Sequence, residues 1–348
     1  MLKPAAAAFA ALSLLASPAA EARKPQGPVV IGYVAAFRDM KATMEMTDLK
    51  KLTHINISFV NPGKDGSIVT GDKMSCMDTD NGNGNGTRSV AEVREIVQMA
   101  HAKGVKVLVS LGGGIIPGCS GNWTELTRPG AREKLVADLL AFADATGLDG
   151  IDVDLEWDVL TAIDKEGNYV PFTQALRTGL TKRRKLLTCA TASNPGGMIP
   201  VGSIPHFDYI NLMSYDQIGE TWGKAGAEHS TMEVARKDIA TWKALGAKKE
   251  QLTLGVPFYG RGFNGYKGGY SFQKVLTTFG KDAANYDVVG KACAGCDYVT
   301  YNGRPTIRAK AALAAKETAG IMIWELSEDA PAPNSLLEAA HDSLHNPD

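Results

Sequence analysis

Between Leu148 and Trp157 the chain reads LDGIDVDLEW, which sets Asp152, Asp154 and Glu156 two residues apart with Ile151, Val153 and Leu155 between them. Successive side chains of an extended backbone point to opposite faces, so the three acids share one side and the aliphatics the other. Carboxylates confined this closely cannot all ionise independently, and sharing a proton keeps one of them in its acid form. An acid beside a carboxylate is the equipment of general acid–base catalysis. A solvated edge strand would carry the same acids, but its aliphatic positions would then lack a packed partner. Gly150 and Trp157 flank the run as they would in a buried strand. Asp149 has the opposite parity and reads as structural.

Positioning such a strand is the task of the rest of the chain. Eight β-rich runs recur: Val29 to Phe37, His54 to Val60, Lys106 to Gly113, Leu148 to Trp157, Leu186 to Ser193, Phe207 to Tyr215, Leu252 to Tyr259 and Gly320 to Leu326. Amphipathic stretches lie between several of them, at Ser89 to Lys103, Arg132 to Thr146, Phe172 to Arg184, Met232 to Leu245 and Ile307 to Lys316. Strands alternating with helices imply parallel pairing. Eight such units in about 320 residues imply an α/β fold, a (β/α)8 TIM barrel in one domain. An open doubly wound sheet is the competitor, and no phosphate-binding glycine fingerprint follows the first strand to support it. In a barrel, chemistry gathers at the carboxyl ends of the strands. Polar and aromatic residues collect there: Ser110-Leu-Gly-Gly-Gly114, Met213-Ser-Tyr215-Asp216, Tyr259-Gly-Arg261 and Trp324-Glu325.

The 348 residues are 44% hydrophobic and 22% charged with a net charge of −1, a balance that gives no electrostatic case for nucleic acid or a membrane surface. Lys3, an apolar run through Leu15 and small residues ending at Ala22 fit a secretory signal over residues 1–22, which predicts a secreted or periplasmic protein comprising residues 23–348. Five cysteines allow at most two disulfides. Cys189, in an apolar strand, is expected to be the free thiol. Cys293-Ala-Gly-Cys296 reads as a local bridge, and Cys76 with Cys119 is the other candidate. The run from Asp78 to Gly86 has two acids of a calcium loop but lacks a third ligand and the distal glutamate, so it reads as a flexible rim loop. The six histidines form no metal-ligand spacing. No metal and no cofactor are expected.

The octet Asp149-Gly-Ile-Asp152-Val-Asp154-Leu-Glu156 resembles the D-x-x-D-x-D-x-E signature of glycoside hydrolase family 18, the chitinases and their relatives. Ser110-x-Gly112-Gly113 is similar to that family's third-strand motif, Met213-x-Tyr215-Asp216 to its sixth and Tyr259-Gly-Arg261 to its seventh. Trp324 stands where the family has a tryptophan beneath the reactive sugar. The resemblance runs through the whole chain after the leader, in order.

Membership implies hydrolysis of β-1,4-linked N-acetylglucosamine. Asp154 and Glu156, about 7 Å apart along one strand face, would approach a sugar from the same side, so neither suits a backside nucleophile to the other. The family's scheme instead has the substrate's 2-acetamido oxygen attack the anomeric carbon while Glu156 protonates the leaving oxygen. Asp154 would hold the acetamido N–H, Asp152 would share a proton with Asp154, and Tyr215 would align the acetamido oxygen. Asp216, Tyr259, Arg261, Met213 and Tyr33 are candidate sugar contacts. Many larger chitinases carry an α+β module between strands seven and eight; here Asn264 to Ala319 leaves space for a reduced insert around Tyr270 to Tyr301, which implies an open cleft and internal cutting.

The expected partner is therefore an N-acetylglucosamine-containing glycan acted on by a monomer. An endo-β-N-acetylglucosaminidase of N-glycan cores and a peptidoglycan-directed relative share the acidic strand. A non-catalytic sugar-binding protein on the same scaffold is a further reading, weakened by the presence of Glu156.

Overall fold

The computed structural model describes residues 27–79 and 86–347. Eight parallel strands close into a barrel: β1 (Val29–Ala35), β2 (His54–Val60), β3 (Lys106–Gly113), β4 (Gly150–Leu155), β5 (Leu186–Thr191), β6 (Tyr209–Leu212), β7 (Leu252–Pro257) and β8 (Gly320–Trp324), with β1 pairing to both β2 and β8. The expected fold is the observed one. Residues 1–22, read as a leader, and residues 80–85 of the rim loop lie outside the described residues.

Alternation along the strands divides the molecule into two packed regions. Ile55, Ile57, Val107, Val109, Ile151 and Val153 face the helices and join one large aliphatic core. The opposite faces point into the barrel, where Val29, Ile31, Tyr33, Tyr209, Tyr215 and Met322 form a smaller cluster. Beside it lies a polar set of Asn56, Ser110, Asp152, Thr188, Asn211 and Thr253, all within 1% of full burial. An interior this polar is held for a reason other than hydrophobic stabilisation.

Helices start and stop where their local chemistry dictates. Ser89 caps the helix Val90–His101 in a reciprocal box with Glu92. The helix Ala131–Thr146 ends at Gly147, whose φ of 75° suits a residue without Cβ. Thr231 caps the helix Met232–Ala244.

Two additions sit at the carboxyl rim. A three-stranded sheet, Val69–Thr70, Lys73–Asp78 and Thr87–Ser89, follows β2. A four-stranded antiparallel sheet of Tyr259–Phe263, Gly268–Ser271, Val288–Gly290 and Tyr298–Thr300, with the helix Phe272–Phe279, follows β7. This insert begins at Tyr259, earlier than expected, so the motif Tyr259-Gly-Arg261 lies on it and not on the barrel. Disulfides join Cys76 to Cys119 and Cys293 to Cys296, and Cys189 is free and buried. The first ties the three-stranded sheet to the loop after β3.

Candidate active site

Glycines clear the space around the acidic strand. Gly112 and Gly113 end β3 with φ of 95° and 96°, and a Cβ on them would come within 2.6 Å of Asp154 O and of the Phe59 ring respectively. A Cβ on Gly114 would lie 3.0 Å from Glu156 Oε1, so the glutamate packs directly over that backbone. The glycine run in the third-strand motif is thus the surface against which β4 and Glu156 rest.

Asp152 is fully buried and accepts four hydrogen bonds from four strands: Tyr33 Oη at 2.8 Å, Ser110 Oγ at 2.6 Å, Thr188 Oγ1 at 2.5 Å and Asn211 Nδ2 at 3.2 Å. Thr253 Oγ1 donates to Asn211 Oδ1 at 2.7 Å and orients that amide. Burial raises the Asp152 pKa, and the four donors oppose the rise. Four donors and no acceptor fit the carboxylate form. Each of the two Asp152 oxygens takes two of these hydrogen bonds.

Asp154 is 3% exposed, and its Oδ1 is buried without a hydrogen-bond partner among the described residues. Burial, then the charges of Glu156 and Asp152, push its pKa well above the usual carboxylate range. Glu156 is raised to about 7, by burial first and by the charge of Asp216 second. Asp216 is itself pushed up by burial, but contacts from His229 and Arg261 outweigh this and hold it well below the usual range. Arg261 grips both Asp216 oxygens at 2.6 Å, and Tyr259 Oη donates to the same carboxylate at 2.7 Å.

These groups line one cleft of about 920 Å³ that also includes Met213, Tyr215 and Trp324. Trp324 stacks with the Phe59 ring at 5.6 Å and 21° and contacts the Tyr33 ring at 5.3 Å. The Tyr215 hydroxyl meets Met322 Sδ at 3.8 Å, a weak acceptor, and the residue borders the cleft.

Tyr33 is a correction. It is 1% exposed and lies beneath the cleft. On β1 it pairs with Asn56 of β2. Its hydroxyl donates to Asp152, and it is not among the residues that line the cleft. Trp157 is a second correction: with φ of 47° it turns the chain into the helix Trp157–Lys165 and is 43% exposed at the cleft, not buried in the strand. Asp149 sits at the other end of β4, accepting from Val107 N and contacting His101 Nε2, each at 2.8 Å.

Several cleft residues escaped the sequence reading, among them Phe37, Phe59, Asn61, Asp78 and Trp222. Phe59 has a physical reason: the β2–β3 register slips between Ser58 and Val60, and this bulge turns Phe59 to the cleft where strict alternation would face it to the helices. Trp222 stands over the Arg261 guanidinium at 5.2 Å and donates to Asp216 O at 2.9 Å. An aromatic residue within a glycine-rich loop was its available signal.

The family model for glycosyl hydrolases family 18 matches residues 29–329. Chitinase 1 of Aphanocladium album is 25% identical over 355 residues, spanning 86% of this chain and 80% of that protein. Endochitinase 1 of Metarhizium robertsii is 26% identical with the same two coverages. A chitinase from the chitin utilization locus of Flavobacterium johnsoniae aligns with a TM-score of 0.78 at 33% identity over 92% of this chain and 95% of that one. For a chitinase from Bacteroides thetaiotaomicron the values are 0.75, 28%, 92% and 97%. With a match running from the first barrel strand to the turn after the last, and a solved relative aligned along nearly the full length of both chains, this protein is a member of glycosyl hydrolase family 18.

Proposed function

We propose that the protein is a retaining endo-glycosidase that hydrolyses β-1,4-linked N-acetylglucosamine in chitin and chito-oligosaccharides with the help of the substrate's own acetamido group. The observation that carries this reading is the division of labour among the cleft carboxyls. Asp154 lies on β4 and Glu156 immediately follows that strand, at the cap of the next helix, and Asp216 is committed to Arg261 and Tyr259. A nucleophile supplied by the substrate completes the set without a second catalytic carboxylate opposite the first.

Glu156, protonated up to about pH 7, donates its proton to the glycosidic oxygen as the bond from that oxygen to the anomeric carbon breaks. The acetamido oxygen attacks the same carbon from the opposite side and forms an oxazolinium ion. Asp154 accepts the acetamido N–H at Oδ1, which has no hydrogen-bond partner among the described residues. Tyr215 donates to the acetamido oxygen and keeps it in line for attack. Water deprotonated by Glu156 then opens the ring from the original leaving-group side, so the β configuration is retained. Trp324 provides the platform beneath the distorted sugar. The Asp216 pair with Arg261, together with Tyr259 and Met213, contacts the sugars on either side of the cut.

Export belongs to the same proposal, supported by the two disulfides and by a leader-like start. We also take the working unit to be a monomer, with neither nucleic acid nor membrane as partner; no helix among the described residues is long and apolar enough to cross a membrane.

Assay against an N-acetylglucosamine hexamer and a high-mannose glycoprotein tests the substrate. Shorter chito-oligosaccharides are the expected products. Release of glycan with the hexamer intact would replace this reading with an N-glycan endoglycosidase.

A further inference from the structure

The helix Arg304–Glu317 carries a charged side chain for which the proposed chemistry has no direct use. Lys310 is 0% exposed. Its ammonium has three acceptors for three hydrogens: Ser230 O at 3.0 Å, Ser230 Oγ at 2.6 Å and Asn302 Oδ1 at 2.7 Å. Ser230 Oγ directs its own proton to Ser214 O at 2.7 Å, and Asn302 Nδ2 donates to Ser230 O and Tyr301 O. None of the three acceptors has a hydrogen to give back, and the ammonium's three hydrogens can serve all of them at once. Burial pulls the Lys310 pKa down to about 7, while Asp287, Asp238 and Glu228 act in the opposite sense. A buried ammonium whose direct partners are neutral is costly unless the arrangement it fixes is needed.

What it fixes is the segment bearing Tyr215 and Asp216. Ser214 O, at the far end of the Lys310–Ser230 chain, belongs to the peptide leading into Tyr215. Gln217 N donates to His229 O at 3.0 Å, and His229 Nδ1 lies 3.5 Å from Asp216 Oδ1. These three links fasten Ser214–Gln217 to His229–Ser230, and Lys310 with Asn302 secures the latter pair from behind.

We propose that Lys310 is a positioning residue: through Ser230 it holds Tyr215 and Asp216 in place beside Glu156 without touching substrate. The proposal rests on the roles given above to Tyr215 and Asp216.

The test uses Lys310→Met and Ser230→Ala in the full chain. On the N-acetylglucosamine hexamer, kcat should fall about tenfold in each, since slight misplacement of an aligned group acts on the transition state. KM should stay within about twofold. The alkaline limb of kcat/KM should move to lower pH, because a displaced Asp216 no longer favours the protonated form of Glu156. A readout without substrate is the NMR resonance of the Trp222 indole N–H, which is donated to Asp216 O and should shift in both variants. A Ser230→Ala protein with parental kcat and an unshifted indole would overturn the proposal, as would a loss confined to KM. Should Lys310→Met fail to fold, Ser230→Ala decides alone. A parent unable to cut the hexamer would refute the functional reading, while the Trp222 resonance would still decide the role of Lys310.

Discussion

Asp216 meets Arg261 through two hydrogen bonds of 2.6 Å, one at each carboxylate oxygen, and the charge so preserved helps lift Glu156 to a pKa of about 7. Burial is the larger cause of that lift, and the Asp216 charge is the second. Catalysis needs Glu156 in its acid form, so activity is lost as pH rises through its pKa. Replacing Asp216 with Asn removes the repulsion that disfavours ionised Glu156. The alkaline limb of kcat/KM on the hexamer should therefore move to lower pH. A limb that stays in place in a folded variant would show that Asp216 does not tune the acid.

Glu156 also places function in conflict with stability. Its folded pKa of about 7 lies above the ordinary glutamate value of 4.5, so the folded state binds the proton more tightly than the unfolded chain does. Stability contributed by this group is present at low pH, declines as pH rises between those values, and the penalty is complete above about 7. Glu156→Gln should abolish turnover yet stabilise the protein at pH 8 by on the order of 3 kcal/mol, with little change near pH 4. Urea unfolding at the two pH values reads this directly, and equal effects at both would contradict the assigned shift.

Tyr33 and Thr188 test the polar shell beneath Asp152. Each gives the buried carboxylate one of its four hydrogen bonds. Tyr33→Phe and Thr188→Val should each cost about 1–3 kcal/mol of stability, since the group left behind keeps a charge with fewer donors. Because neither side chain reaches the sugar, any loss of activity should fall on kcat and leave KM unchanged. A raised KM in Tyr33→Phe would restore that residue as a sugar contact.

The acidic strand was legible because period-two alternation survives folding: Asp152 and Asp154 do face inward while Ile151 and Val153 join the outer core. Depth along a strand is less visible. Tyr33 has the parity of an interior residue, yet only the packed fold shows that it is buried and does not line the cleft. Phe59 was hidden by a bulge that reverses parity, and Trp157 by a positive φ at the start of the helix that follows the strand. Tyr259 and Arg261 were recognisable as a motif, whereas their location on the insert depends on long-range pairing with Ser271 and Thr300. Local pattern encodes which face a side chain takes; tertiary pairing decides where along the barrel it acts.

Trp324 offers a test of the platform. Removing its ring by Trp324→Ala takes away stacking against substrate and the contact with Phe59. Affinity for chito-oligosaccharides should weaken by about 1–2 kcal/mol, or roughly tenfold, as measured by calorimetry in the Glu156→Gln background. Undiminished binding would place the sugar platform elsewhere, with the exposed Trp157 and Trp222 as the next residues to examine.

The central claim is that the substrate's acetamido oxygen is the nucleophile. The most direct measurement is proton NMR of the first products released from an N-acetylglucosamine hexamer, run beside the fully de-N-acetylated hexamer. The account predicts that the new reducing ends appear first as the β anomer and that the de-N-acetylated chain is left uncut. An initial α anomer, or cleavage of the chain that lacks acetyl groups, would contradict it.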